Sequence, residues 1–248
     1  MARKVALITG ALTGIGRAAA FVLARYDHAV VVSGRSQEAG EALERELAAQ
    51  GAEAMFVRAD VKDETQVSAL VDRTVERFGC LDVAVNCAGV DGSSLLLVDE
   101  TAESIDHILD TNIRGTIFAM KHELRVMLPR RSGAIVNCSS TMAHVARPGL
   151  GVYCASKRAV EGLTQAGALE AAAHNVRVNA IAPGSIDTPM LDRVAATRGG
   201  KAEIGAHNPL QRVGTAEEAA ELIAFLASDK AAFITGQSVP IEGGRLTK

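Results

Sequence analysis

With 248 residues, 48% of them hydrophobic and 22% charged, and a net charge of -3, the chain has the make-up of a folded globular protein able to bury a sizeable core. So small a net charge provides no field to gather nucleic acid or an anionic membrane surface. No stretch approaches the roughly 18 uninterrupted apolar residues of a spanning helix, so neither partner is expected.

Arg3-Lys4 ahead of Val5 to Ile8 bears a superficial likeness to an export segment, but the apolar run halts at Thr9-Gly10 and is too short for one. A cytoplasmic location is the expectation. From there short β-rich runs alternate with longer helical patterns, the signature of βαβ units building a parallel sheet. Strands are predicted over Val5 to Thr9, Ala29 to Ser33, Ala54 to Val57, Leu81 to Val85, Gly133 to Cys138, Arg177 to Ala182 and Gln237 to Ile241. Most lack polar alternation, as befits strands covered by helices on both faces. Gln37 to Gln50 and Glu64 to Phe78 instead space their apolar residues three and four apart, as helices do. No Pro- or Ser-rich linker interrupts the pattern, so the chain reads as a single α/β domain. The irregular stretch Asp187 to Gln211, with Gly199-Gly200, reads as a mobile insertion. Cys80, Cys87, Cys138 and Cys154 show no CxxC and no histidine pair beside them, so free thiols are expected and no metal site.

The first strand runs into Thr9-Gly10-Ala11-Leu12-Thr13-Gly14-Ile15-Gly16 and then the helical run Arg17 to Ala24. A glycine turn between a parallel strand and a helix start aims free N–H groups and the positive end of the helix dipole at one point, where a dinucleotide pyrophosphate fits. The spacing Gly-x3-Gly-x-Gly departs from the usual Gly-x-Gly-x2-Gly and resembles that of the short-chain dehydrogenase/reductase family, in its TGxxxGxG and YxxxK form. The resemblance runs through nearly the whole chain. It implies a doubly wound Rossmann-type sheet of seven parallel strands, with a nicotinamide cofactor across the carboxyl edge, and usually a homotetramer.

Along the resemblance, Gly10, Thr13, Gly14, Ile15 and Gly16 form the cofactor turn. At the end of the second strand, Gly34 stands where NAD-preferring relatives carry Asp, and Arg35 follows as in many NADP-preferring ones. A guanidinium can take a 2'-phosphate through charge-assisted bonds, so NADP is expected, with NAD the alternative if Arg35 only stacks on the adenine. Asp60-Val61 resembles the pair that contacts adenine. Asn86-Cys87-Ala88-Gly89 resembles the family's Asn-Asn-Ala-Gly, with Asn86, Ala88 and Gly89 kept and Cys87 departing. In Pro183-Gly184-Ser185-Ile186-Asp187-Thr188, Pro183, Gly184, Ile186 and Thr188 are expected over the nicotinamide and phosphates.

Tyr153 and Lys157 open an Ala-rich helical segment at i, i+4, so both project from one face. Hydride transfer to a carbonyl needs a proton donor, and an ammonium beside a phenol favours the tyrosinate required for the reverse reaction. The resemblance gives Lys157 and Tyr153 contacts to the nicotinamide ribose as well. Ser140 has the family's spacing from Tyr153 for the serine that holds the substrate oxygen, in preference to Ser139. Asn112 matches the helix-bending asparagine of a proton relay. Reversible reduction of a ketone or aldehyde is the leading expectation, the rivals being a cofactor-binding regulator without turnover and a non-redox lyase or epimerase. Substrate choice is assigned to the loops Val90 to Val98, Thr141 to Val152 and Asp187 to Gln211. His144 and Arg147 are read as solvated loop residues, Lys121, Arg125, Arg130 and Arg131 as cations at a helix C-terminus, and Glu242-Gly243-Gly244 as a turn.

Overall fold

The computed structural model describes residues 3–92 and 94–247; Met1, Ala2, Ser93 and Lys248 lie outside, so Ser93 of the loop Val90 to Val98 is not placed. The apolar runs become β1 (Val5–Thr9), β2 (Ala29–Gly34), β3 (Ala54–Arg58), β4 (Val83–Asn86), β5 (Gly133–Cys138), β6 (Val176–Pro183) and β7 (Ser238–Ile241). All pairings are parallel, in the order β3-β2-β1-β4-β5-β6-β7. The fold is thus the Rossmann-type α/β sheet that the alternation implied.

The prediction for the fourth strand starts two residues early. Asp82 lies beside β1 but uses its carboxylate to accept the Val5 N–H at 2.9 Å, and the ladder begins with Ala6 against Val83. Such end shifts are ordinary for strand boundaries.

Alternation along the strands divides the interior in two. Ala6, Ile8, Val30 and Val32 join α1 (Gly14–Arg25), α2 (Gln37–Ala49) and later α9 (Ala216–Ala227) in one core cluster, while Leu7 and Val31 meet α3 (Glu64–Phe78) in the other. The second cluster also takes in α5 (Gly115–Arg130) and α6 (Gly151–Ala171). Each fully buried Leu, Ile or Val side chain contributes about 1.5–3 kcal/mol. Burial on both faces explains why the strand runs are continuously apolar.

Helix ends follow local chemistry. Asp63 accepts the N–H groups of Thr65 and Gln66 at the start of α3, and Gly79, with φ of 80°, takes the left-handed turn that stops it. Between α4 (Ala102–Leu109) and α5, residues Asp110–Arg114 form a π-turn carrying Asn112.

Two expectations change here. The segment Asp187 to Gln211, read as irregular, contains α7 (Pro189–Ala195) and α8 (Lys201–Ala206), each too short to show a helical period. The basic residues of α5 are not explained by the helix dipole alone. Lys121 pairs with Glu64 and Arg125 with Asp72, both on α3, Arg130 binds Asp82, and Arg131 donates to the Ala173 carbonyl. Among the described residues no helix is long and apolar enough to cross a membrane.

Candidate active site

The strand order reverses between β1 and β4, which opens a crevice at their carboxyl ends. Gly10 and Gly14 have φ of 64° and 56°, a region that glycine alone adopts freely. A Cβ on Gly10 would lie 2.6 Å from the Ala88 nitrogen, and one on Gly16 would lie 2.4 Å from the Gly10 oxygen. The turn therefore packs backbone on backbone, directly against the β4 exit. Helix α1 begins at Gly14 with no side chain capping it and no acidic residue in its first turn. Its free amide groups suit an anion. A Cβ on Gly14 would meet Thr188 Cγ2 at 3.2 Å, so the segment after β6 lies over the same turn. Ile15 packs on the adjoining core, and Ile186 is buried and bridges to Gly214. Gly184 permits close approach of Glu242, to which a Cβ there would stand at 2.7 Å, while Pro183 pairs with Ile241.

At the neighbouring tip, Gly34 lies against the Leu12 side chain, to which a Cβ there would stand at 2.6 Å. Arg35 follows, and Arg58, opposite Gly34 in the β2–β3 register, donates its Nε to the Arg35 carbonyl at 3.0 Å. Neither guanidinium pairs with a carboxylate among the described residues. The chain thus places two cations where one was anticipated; Arg58 is visible only once the strands are in register. Asp60 accepts the Lys62 N–H at 3.0 Å, and Val61 lies against Gly115.

Asn112 from the π-turn and Tyr153 and Lys157 from α6 gather at the tips of β4 and β5, and Ser140 lies two residues past the end of β5. Lys157 is buried, and its Nζ donates to the Cys138 carbonyl at 2.8 Å. The same ammonium stands 5.8 Å from the centroid of the Tyr153 ring. Asn112 Oδ1 accepts the Val90 N–H at 2.9 Å, and its Nδ2 donates to the Val90 carbonyl and to Ser156 Oγ, both at 3.0 Å. A Cβ on Gly89 would lie 3.3 Å from both Asn112 Oδ1 and Lys157 Nζ, so this glycine leaves room between them. The π-turn thus carries the Asn112 side chain to the Val90 backbone and Ser156.

The two serines separate cleanly. Ser139 Oγ donates to the Lys157 carbonyl and to Glu161 Oε1, whereas Ser140 Oγ accepts the Met142 N–H at 3.1 Å and keeps its proton for another partner. Glu161, one turn beyond Lys157, also accepts Ser238 Oγ at 2.6 Å and pairs with His144 at 3.1 Å. His144 therefore has a fixed partner and is not simply solvated. The Glu161 link is tertiary and left no sequence signal beyond its i+4 spacing from Lys157.

Asn86 turns its side chain into the sheet. Its Nδ2 donates to Glu123 Oε2 at 3.1 Å and to Asn137 Oδ1 at 3.0 Å, leaving its backbone, Ala88 and Gly89 at the crevice. Burial holds the Glu123 carboxyl up at about 7, against the opposing Asn86 hydrogen bond, and its Oε1 has no partner among the described residues. Among the described residues no cluster of His, Cys, Asp and Glu could hold a metal ion.

The sequence profile of a family described as Enoyl-(Acyl carrier protein) reductase matches residues 10–245. A 3-oxoacyl-(acyl-carrier-protein) reductase of Staphylococcus aureus is 40% identical over 242 residues, 97% of each chain. A cis-4-hydroxycyclohexanecarboxylate dehydrogenase of Sinomonas cyclohexanicum is also 40% identical, over 98% of this chain and 96% of its own. The crystal structure of ElxO with NADP bound superimposes with a TM-score of 0.93 at 35% identity, covering 99% of this chain and 100% of that one.

Proposed function

The chain belongs to the short-chain dehydrogenase/reductase family of oxidoreductases, and from that premise we propose that it moves a hydride between NADP(H) and a carbonyl or secondary-alcohol carbon. When bound, the nicotinamide supplies or accepts the hydride. The observation that carries the reading is the Lys157 ammonium anchored on the Cys138 carbonyl with the Tyr153 ring beside it, at strand tips that adjoin an uncapped helix start.

In the reducing direction, the Ser140 hydroxyl donates a hydrogen bond to the substrate oxygen, favouring the charge that gathers there. The Tyr153 hydroxyl gives that oxygen its proton. Lys157, fixed by the Cys138 carbonyl, stabilises the phenolate left behind and also holds the ribose hydroxyls, while Asn112 keeps the Val90 backbone and Ser156 in place around it. Gly10, Thr13, Gly14, Ile15 and Gly16 seat the pyrophosphate. Thr188, Ile186, Gly184 and Pro183 cover the nicotinamide end, and Asp60, Val61, Asn86, Ala88 and Gly89 border the adenosine and ribose.

Arg35 and Arg58 together select NADP by receiving the 2'-phosphate. The solved ElxO complex contains NADP, which supports this cofactor for a chain so similar over its whole length. Two relatives at the same identity act on different substrates, a thioester-linked 3-oxoacyl group and a hydroxycyclohexane acid, so the substrate is sought by assay. Oxidation of NADPH and NADH against steroids, sugars, 3-oxoacyl thioesters and simple ketones should show net NADPH consumption with at least one class. Tight NADPH binding without turnover of any would favour a regulator or a non-redox enzyme. The exposed Leu169 and Phe233 offer apolar surface for the homotetramer that the family implies, and light scattering gives its mass.

A further inference from the structure

Two thiols beside the strand tips have no part in the proposed hydride chemistry. Asn86 and Asn137 face one another in the β4–β5 register, and their side chains hydrogen-bond at 3.0 Å. Alternation turns the residue after each, Cys87 just beyond β4 and Cys138 at the end of β5, toward the opposite face of the sheet. Both pack there against the same apolar cluster that contains α1 and α9. Neighbouring strands stand about 4.7–4.9 Å apart, inside the Cα separation of about 4.4–6.8 Å that a disulfide spans.

We propose that Cys87 and Cys138 are an oxidative modification site, a dithiol that closes to a reversible disulfide when no dinucleotide covers the strand tips and so shuts down the enzyme. The pair is asymmetric in its surroundings. The Cys138 carbonyl itself holds the Lys157 ammonium at 2.8 Å, and a nearby cation favours the thiolate, so Cys138 is the attacking sulfur and Cys87 the resolving one.

With hydrogen peroxide as oxidant, the Cys138 thiolate attacks one peroxide oxygen and the O–O bond breaks. The departing hydroxide takes up the proton that Cys138 released and leaves as water, with a sulfenic acid on Cys138. Cys87 sulfur attacks that sulfur, the S–O bond breaks, and a second water leaves with the Cys87 proton. Two thiols have given two electrons to one peroxide, and a reducing dithiol reverses the bond by exchange.

Closure reaches the active site through two backbone contacts. The turn at Gly10 rests on the Cys87–Ala88 peptide, where a Cβ would come within 2.8 Å of the Cys87 carbonyl carbon. The Cys138 carbonyl anchors Lys157 Nζ at 2.8 Å. A bond between the two sulfurs ties these two peptides to each other, so neither can adjust as cofactor and substrate are seated.

The test treats the full chain with hydrogen peroxide, with and without NADPH, then counts alkylatable thiols and maps cross-linked peptides by mass spectrometry. Two of the four thiols should disappear into a Cys87–Cys138 peptide. Turnover should fall by about 10²-fold, the scale of a small misplacement at a reacting centre, and dithiothreitol should restore both. The Cys80→Ser/Cys154→Ser double variant should respond like the parent. Cys87→Ala and, independently, Cys138→Ala should form no bridge and keep their own untreated rates. Four persisting thiols, a bridge through Cys80 or Cys154, a bridge without loss of turnover, or equal inactivation of Cys87→Ala would overturn the proposal. The thiol count and the cross-linked peptide do not depend on the proposed function, whereas the turnover and protection arms rest on it. NADPH should slow closure; a bridge that forms equally fast under saturating NADPH refutes the gating and places the cofactor elsewhere.

Discussion

At the strand tips, Lys157 is anchored on a backbone carbonyl and both polar atoms of the Asn112 side chain are bonded. Across the segment from Asp187 to Gly214, contacts are made by Arg193 to Asp91, Lys201 to Asp187 and Asp192, and Arg212 to Glu218, with cation side chains 60%, 36% and 52% exposed. Buried, neutral-to-charged hydrogen bonds contribute more than exposed ion pairs, which contribute about 0–1 kcal/mol. The ties at the tips are buried and those of the 187–214 segment exposed, apart from its own small core of Leu191, Ala195 and Ile204. On the proposed function, chemistry is assigned to the first region and substrate choice to the second.

The contrast is broken most severely at Lys157. Lys157→Met should lower kcat by roughly 10³-fold with a nearly unchanged melting temperature, since general acid–base groups contribute about 10²–10⁴-fold; a loss under tenfold would remove Lys157 from the mechanism. Next, Arg35→Ser and Arg58→Gln should each weaken NADPH binding, measured by fluorescence titration, by roughly 10- to 100-fold, the scale of about 1.5–3 kcal/mol for a bond to a charged group. NADH binding should hardly move. Equal losses for both cofactors would mean that the arginines do not read the 2'-phosphate.

Below the tips, Glu123 has its folded pKa raised to about 7 from 4.5. The native state then binds the extra proton between those values, so the stabilisation present below pH 4.5 is lost as pH rises through about 7. Glu123→Gln should accordingly stabilise the fold at pH 8 by on the order of 2 kcal/mol and change it little near pH 4.5. Denaturant melts at the two pH values check this, and the opposite ordering would contradict it. The smallest effect is expected at Arg193, whose exposed link to Asp91 joins α7 to the β4 exit loop. Arg193→Ala should shift KM a few-fold at most, less in high salt, and leave kcat alone.

Legibility in the sequence follows the same division. Strands buried on both faces must be apolar throughout, so β1, β2, β4, β5 and β6 could be read from Val, Ile and Ala runs, while the edge strands β3 and β7 are only partly buried. The i, i+4 spacing of Tyr153 and Lys157 follows from helical geometry. Arg58 escaped because its neighbour Arg35 follows a different strand, β2, and only the β2–β3 register brings them together. Likewise His144 reads as a loop residue until α6 presents Glu161 to it. Helices α7 and α8, of 7 and 6 residues around Gly199-Gly200, are too brief for periodicity to rise above turn signals.

The account stands or falls on a phenol that shuttles a proton next to a seated dinucleotide. Tyr153→Phe, assayed by stopped-flow NADPH oxidation with whichever carbonyl the screen identifies and by NADPH titration in parallel, isolates that role. Turnover should drop by roughly 10²–10⁴-fold while NADPH affinity stays within a few-fold of the parent. Full-rate oxidation by the phenylalanine variant would contradict the account.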